Sequence, residues 1–183
     1  MSTVTEFEYT PLTRIEMALY GMDYPTDYVA ETDNPDVPYE HLYVNLESLA
    51  DGRLLVARLA LLEDIARAGS RAANVDFTPP RSTQLQFSVV LPVKSKHLTG
   101  RDRAILVGYL NRLLHMGCFG ASAAEGFYFR YTLAAEDADT LNAYLVAEAL
   151  ENVRALCLKY LPVIEDLCAG KHTLHEIIMQ IGS

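Results

Sequence analysis

Residues 115–133, HMGCFGASAAEGFYFRYTL, decide the fold of this chain because they admit two interpretations. A histidine three residues before a cysteine, His115 and Cys118, can belong to a nucleophilic or metal site. The same letters are typical of a helix end followed by a tight β-hairpin: a strand from Cys118 to Ala121, the turn SAAEG and a return strand. Alternation in the return strand places Phe127, Phe129, Tyr131 and Leu133 on the inward face, and Tyr128, Arg130 and Thr132 on the other.

The hairpin is the favoured interpretation. A catalytic cysteine needs a base within hydrogen-bond reach and an oxyanion donor, and the chain offers no companion Asn or Asp at a recognisable spacing. His115 in the last turn of a helix would suit the negative end of the helix dipole, and Cys118 is expected to be a small buried thiol. We therefore expect no catalytic residue, although a pocket near Cys118 and Arg130 stays the alternative.

A strand and a helix precede this hairpin. In TQLQFSVVLP, residues 83–92, alternation predicts a strand that Pro92 ends. Its two faces are Leu85, Phe87, Val89 and Leu91 on one side and Gln84, Gln86 and Ser88 on the other. Thr99 and Asp102 resemble a capping box that opens a helix, and Gly117 is expected to close it. The apolar positions of this helix are Ile105, Leu106, Tyr109, Leu110 and Leu113.

The N-terminal region predicts a short helix and a connection. Thr10 can cap this amphipathic helix, Pro11 suits its first position, and Gly21 is expected to end it in a left-handed conformation. Residues 22–40 are acidic and contain three prolines. We expect a long surface connection there, with one short edge strand around Tyr28 to Ala30.

The next segment predicts a hairpin in which residues 41–47 pair antiparallel with residues 53–61. Its turn is Asp51-Gly52. Residues 54–66 also admit a helix, since they are rich in Leu and Ala, and periodicity does not separate the two. Residues 67–82 carry few large apolar side chains and two consecutive prolines, so we expect a loop there.

The last third predicts two helices. Asp137 can cap a long helix that Gly170 would stop, and Pro162 inside it predicts a kink. Thr173 and Glu176 predict a capping box for the final short helix. The apolar stripe of the long helix is Leu141, Leu145, Ala149, Val153, Leu156, Tyr160, Ile164 and Leu167.

Composition limits the partners. The chain has 183 residues and a net charge of −9, and residues 1–50 hold ten acidic residues against Arg14 alone. Such a surface repels phosphate backbones and anionic lipid, so we expect neither nucleic acid nor membrane as a partner. We find no apolar run of spanning length and no signal peptide, and we expect the cytoplasm. The three cysteines, Cys118, Cys157 and Cys168, suit free thiols of a reducing compartment.

Other candidate sites are weak. Cys157, Cys168, His172 and His175 carry metal-capable atoms, but they lack the close pairs of a structural zinc site, so we expect no metal and no cofactor. The basic residues between 94 and 103, Lys94, Lys96, His97, Arg101 and Arg103, lack the pattern of a phosphate-binding loop. They are expected to be a solvated loop, or to pair with the acidic first quarter of a second copy in a homodimer.

The order of elements predicts an α+β fold: an antiparallel sheet of about five strands packed against helices. We expect one domain over residues 1–183, with an acidic N-terminal helix and extension at 1–40 and a C-terminal helix at 172–181. LQFSVVLPV, a helix containing YLNRLL, GCFGASAAEGFYFRYTL and the long helix through Tyr160 to Gly170 resemble the bacterial YbjN-like domain family. The resemblance covers residues 82–170 well and 41–62 loosely.

This resemblance implies a fold similar to that of type III secretion chaperones, and a small cytoplasmic protein that binds other proteins and lacks known catalytic residues. Such chaperones hold an extended client segment against their sheets. The leading hypothesis is therefore a non-enzymatic, chaperone-like or regulatory protein-binding domain that uses an exposed sheet face or edge and the acidic N-terminal region. The alternative is a small-ligand-binding protein or enzyme with a pocket near Cys118 and Arg130.

Overall fold

The computed structural model describes residues 9–34, 36–94 and 98–182. Its elements, in chain order, are α1 Pro11–Tyr20, β1 Thr26–Val29, β2 His41–Ser48, β3 Leu54–Leu61, α2 Leu62–Ala73, β4 Thr83–Val90, α3 Gly100–Asn111, β5 Cys118–Ser122, β6 Gly126–Ala135, α4 Ala143–Cys168 and α5 Leu174–Gly182. The strands form one antiparallel sheet in the order β1-β2-β3-β4-β6-β5. The predicted α+β class with an antiparallel sheet is confirmed, with six strands.

One face of the sheet builds the core. Alternate residues of β2, β3, β4 and β6 point to this face because successive strand side chains point to opposite sides. Phe87, Phe127 and Phe129 are fully buried there, and Phe119 of β5 contacts the Phe129 ring edge-on at 5.0 Å. Helices α1 and α4 pack over this face, α3 packs against β5, and α5 packs against α3 and α4. We call this side the covered face.

Residues 54–66, for which the sequence allowed either a strand or a helix, contain both. Residues 54–61 are β3, and the chain then enters α2 without a break. The expected loop at 67–82 is wrong over its first seven residues, because α2 continues to Ala73 and ends at Asn74 in a left-handed conformation (φ 53°). Only Ala68 of α2 is buried. The helix therefore lacks the apolar stripe from which an amphipathic helix is predicted.

Two helix ends differ from the prediction. Thr10 caps α1 as expected, accepting from the Thr13 N–H, but Gly21 is right-handed (φ −65°) and the positive φ falls on Asp23. Helix α3 starts at its predicted cap and already ends at Asn111, so Gly117 does not close it and instead introduces β5 with φ 65°. Two expected apolar positions of α3, Ile105 and Leu113, are exposed.

The long helix also starts later than expected. Asp137 caps the short 3-10 helix Ala138–Thr140, while Asn142 caps α4 through a 2.8 Å bond from the Tyr144 N–H. Leu145 is exposed, so its place in the apolar stripe was wrong. The end is as expected, with Gly170 at φ 70°, and Pro162 lies inside the helix. The kink there stays a prediction.

The final capping box is confirmed. The Thr173 N–H donates to Glu176 at 2.7 Å, and the Glu176 N–H donates to the Thr173 hydroxyl at 3.3 Å. The edge strand expected at Tyr28 to Ala30 is β1, which lies two residues earlier at its start and ends at Val29. Within the described ranges, no helix has the length and apolar character needed to cross a membrane.

Candidate functional site: the open face of the sheet

The face of the sheet opposite the core carries the polar and charged side chains of the same strands; we call it the open face. The strand register aligns one residue from each of five strands in a single row across it. These five residues, which we call the cross-strand row, are Tyr43, Arg58, Ser88, Arg130 and Cys118. Asp27 of β1 continues the row beyond Tyr43.

A cluster of aromatic rings in edge-on contact supports the β2 end of the row. His41 is fully buried, with its ring edge-on to Tyr43 at 5.1 Å and to Tyr39 at 5.8 Å. The His41 Nδ1 lies 2.9 Å from the Tyr39 carbonyl oxygen, which fixes the ring. The Arg58 guanidinium lies 6.0 Å from the centre of the Tyr39 ring, an arrangement suited to a cation–π contact. Tyr43 and Arg58 are thus held by neighbours.

A second stack supports the β6 end. Tyr128 lies opposite Gly120, and a Cβ atom at Gly120 would be 2.2 Å from the Tyr128 Cζ, so the ring covers the space that a side chain would fill. The Arg130 guanidinium lies 4.4 Å from the centre of the Tyr128 ring. Glu125, in the turn, is 3.7 Å from Arg130, and the Arg130 Nε is buried without a hydrogen-bond partner in the described structure. The guanidinium therefore retains an unused donor.

Ser88 lies in the row between the two arginines and is only 7% exposed. Its hydroxyl is not one of the enclosed polar atoms that lack a hydrogen-bond partner among the described residues. Ser88 lines a shallow depression of about 230 Å³ with Tyr43, Arg58, Glu125 and three aliphatic side chains, Leu54, Val56 and Val90. Cys118 and Arg130 are not among its lining residues. Typical small-molecule pockets measure about 300–1,000 Å³.

The two cations of the row differ from five other arginines of the chain. Arg14, Arg53, Arg67, Arg71 and Arg154 each lie in ion-pair contact with a carboxylate at 3.1 Å or closer. Arg58 has no carboxylate within ion-pair distance in the part of the chain that the structure describes, and Arg130 has only the distant Glu125. Arg58 is therefore a cation of the open face without an ion-pair partner among the described residues.

The β5 edge of the sheet is closed by side chains. The Asn111 amide donates to the Phe119 carbonyl at 2.9 Å and accepts from the Phe119 N–H at 2.7 Å, which replaces the bonds of a further strand. Arg103 donates to the Ser122 carbonyl at 3.4 Å. The opposite edge, β1, is four residues long and carries the exposed Asp27. Short, charged edges disfavour the addition of a strand.

The structure places the predicted site residues differently from expectation. His115 lies beyond the end of α3 rather than in its last turn, and Cys118 is exposed rather than buried. No hydrogen bond joins the two among the contacts of the described residues. Cys157 and Cys168 are the buried thiols, and burial raises the pKa of Cys157 to about 12 and that of Cys168 to about 11. Cys118 and Arg130, expected together, do lie opposite each other on β5 and β6.

The remaining candidates do not converge. Within the described ranges, no three His, Cys, Asp or Glu side chains are placed to hold a metal ion. Of the basic segment between residues 94 and 103, Lys96 and His97 lie outside the described residues, whereas Lys94 lines a depression beside Arg53 and Cys168. The sequence did not single out Arg58. Its place in the cross-strand row depends on alignment with Ser88 and Arg130, and that alignment is set by the strand order.

Comparison of the chain with protein-family models, with curated proteins and with solved structures found no match. The resemblance to the YbjN-like domain family, and with it the type III secretion chaperone-like character, therefore stays a prediction.

Proposed function

We propose that this protein is a non-enzymatic, chaperone-like or regulatory protein-binding domain that docks its partner on the open face. The observation that carries the proposal is the composition of this face: tyrosine and arginine side chains held in place by stacking, beside half-exposed aliphatic residues and a buried serine. Tyr and Arg are enriched in protein interfaces and dominate their binding energy.

The face, rather than an edge, is the proposed contact surface. Asn111 occupies the outward backbone groups of Phe119, so a partner strand cannot pair there without displacing it. A shallow depression of about 230 Å³ offers little enclosure to a small molecule, whereas a protein segment can lie across an open surface. This geometry supports a protein partner on the open face.

The same proposal places the protein in the cytoplasm. Its three cysteines are free, and Cys118 is exposed. An exposed thiol persists in a reducing compartment, whereas an oxidising one would draw it into disulfides. The homodimer suggested by the uneven charge of the sequence, in which the basic residues between 94 and 103 pair with the acidic first quarter of a second copy, also belongs to this proposal.

A cross-linking experiment tests where the partner docks. A photoreactive maleimide attached to Cys118 reports on the open face, because the other two thiols are buried. The matched control carries Cys118→Ser and Glu148→Cys, which moves the label to an exposed position of α4. We expect one partner protein to cross-link from Cys118 and not from position 148. Equal labelling from both positions would contradict the proposal.

The captured protein is then purified and its affinity measured by calorimetry. Leu54 and Val90 line the depression and are 50% and 48% exposed, so Leu54→Ala with Val90→Ala removes apolar contact area without changing charge. We expect this double variant to weaken binding about tenfold. The control, Met17→Ala with Leu145→Ala, removes side chains 58% and 53% exposed on the helices. Loss of affinity only in the control would overturn the proposal.

A further inference from the structure

The centre of the open face carries two arginines although the whole protein is acidic. The chain has a net charge of −9, yet the centre of the cross-strand row presents Arg58 and Arg130 on either side of Ser88. A local cationic site on an acidic protein is informative because long-range repulsion acts against any anion that approaches it. An anionic ligand would then be favoured only by short-range ion pairs with the two arginines.

The spacing of the two arginines suits an extended segment. Arg58 and Arg130 lie on strands separated by β4 alone, which corresponds to about 9–10 Å between their backbones at the usual strand spacing. Side chains on one face of an extended segment recur about every 6.6–6.8 Å, and the length of arginine and glutamate side chains covers the difference. Two alternate carboxylates can therefore reach both guanidiniums at once.

Each element of the row supplies a distinct contact. A guanidinium binds a carboxylate through parallel N–H donors, and the Arg130 side chain is 39% exposed with its guanidinium 4.4 Å from the centre of the Tyr128 ring. The Ser88 hydroxyl can donate a hydrogen bond between them. Leu54, Val56 and Val90 provide apolar contact for the side chains next to the acidic ones.

Resting on the proposed function, we propose that the partner segment is acidic: an extended stretch of a partner protein whose alternate Asp or Glu carboxylates pair with Arg58 and Arg130 across Ser88. Glu125 then acts as an internal competitor, because its carboxylate lies 3.7 Å from Arg130 and lines the same depression. Binding of the segment displaces this weak pair.

Two fluorescein-labelled decapeptides test the proposal by fluorescence anisotropy at about 0.15 M salt, where distant charges are largely screened. One alternates Glu and Val, and the other alternates Lys and Val. We expect the Glu-Val peptide to bind about tenfold more tightly, since two charge-assisted contacts form only with it. The net charge alone predicts the reverse order, so equal affinity or a preference for the Lys-Val peptide overturns the proposal.

Single variants locate the binding. Arg58→Gln and Arg130→Gln should each weaken the Glu-Val peptide about fivefold, as expected for a half-exposed ion pair, while Arg112→Gln, on the exposed end of α3, leaves it unchanged. Glu125→Gln should strengthen binding about twofold, because the competing carboxylate is gone. An unchanged affinity in all three face variants would also overturn the proposal.

The outcomes separate this inference from the proposed function. Leu54→Ala with Val90→Ala could weaken binding of the captured partner while Arg58→Gln and Arg130→Gln do not. That result would support docking on the open face and contradict an acidic partner segment. Sedimentation of the intact chain tests the competing occupant, a second copy that offers its acidic first quarter. A dimer that dissociates in Arg58→Gln would assign the face to self-association and overturn the acidic partner segment.

Discussion

The two faces of this sheet are made by the same strands and have opposite properties. On β6, Phe129 is fully buried on the covered face, while its neighbour Arg130 lies on the open face with an unused donor. On β4, Phe87 and Ser88 are divided in the same way. Adjacent residues of one strand therefore contribute to different properties, one to folding stability and the next to binding. Substitutions on the covered face should change stability, and substitutions on the open face should change binding.

The largest expected contrast is in thiol reactivity. Burial raises the pKa of Cys157 to about 12, so at pH 8 this thiol is protonated as well as inaccessible, whereas Cys118 is exposed. We expect one of the three thiols to react rapidly with Ellman's reagent in the native protein. Cys157 should react at least ~10³-fold more slowly, because its reaction requires opening of the core. Cys168 lines a depression and should also react more slowly than Cys118, because burial raises its pKa to about 11.

Cys118→Ser is the matched control, since it should abolish the fast phase and leave the slow one. In denaturant all three thiols should react together. Fast labelling of Cys157 in the native protein would show that the covered face is not closed.

The next contrast compares adjacent residues of β6. Phe129→Ala should lower the free energy of unfolding by about 3–5 kcal/mol, because it removes a fully buried ring and its contact with Phe119. Arg130→Gln should change it by less than about 0.5 kcal/mol. Urea denaturation measures both. Similar losses would mean that the open face carries folding energy too.

The closed edge gives a smaller effect. Asn111→Ala should lower the free energy of unfolding by about 1–2 kcal/mol, because the N–H and carbonyl of the buried Phe119 lose their partners. Asn111→Asp retains the acceptor for the N–H and loses the donor, so an intermediate value is expected from the same urea titration. A neutral Asn111→Ala would show that the side chain does not protect this edge.

A substitution at Gly120 is expected to have only a small effect on stability. A methyl group there would lie 2.2 Å from the Tyr128 ring, which is half-buried and can move aside. Gly120→Ala should therefore cost less than about 1 kcal/mol, yet shift the support of Arg130 and weaken the Glu-Val peptide. Gly108→Ala in α3 is the control, since its new Cβ meets nothing within 4 Å and should stabilise the helix. Unchanged peptide binding in Gly120→Ala would show that Tyr128 does not contribute to the peptide-binding site.

Much of the fold was readable from local pattern. The alternation in residues 83–92 and 127–133 predicted β4 and β6 and their buried sides, and Thr99, Gly170 and Thr173 marked helix boundaries by cap chemistry. The failures came where tertiary contacts outweighed local preference. Helix α2 has one buried residue, and α3 ends at Asn111, whose side chain bonds the backbone of Phe119 in β5.

The candidate site was less predictable. The sequence indicated that Arg130 faces away from the core, but it singled out Cys118 as buried and overlooked Arg58. Exposure of Cys118 follows from its position at the start of an edge strand on the open face, which only the strand order defines.

By itself, the sequence determined which side of β2, β4 and β6 is apolar, where most elements begin, and that the acidic charge lies in the first fifty residues. These are properties of neighbouring residues, set by side-chain period and capping. Only the tertiary structure decided that β3, β4 and β6 are neighbours, and hence that Arg58, Ser88 and Arg130 stand in one row. That decision depends on long-range packing of the whole covered face, which no local stretch of residues encodes.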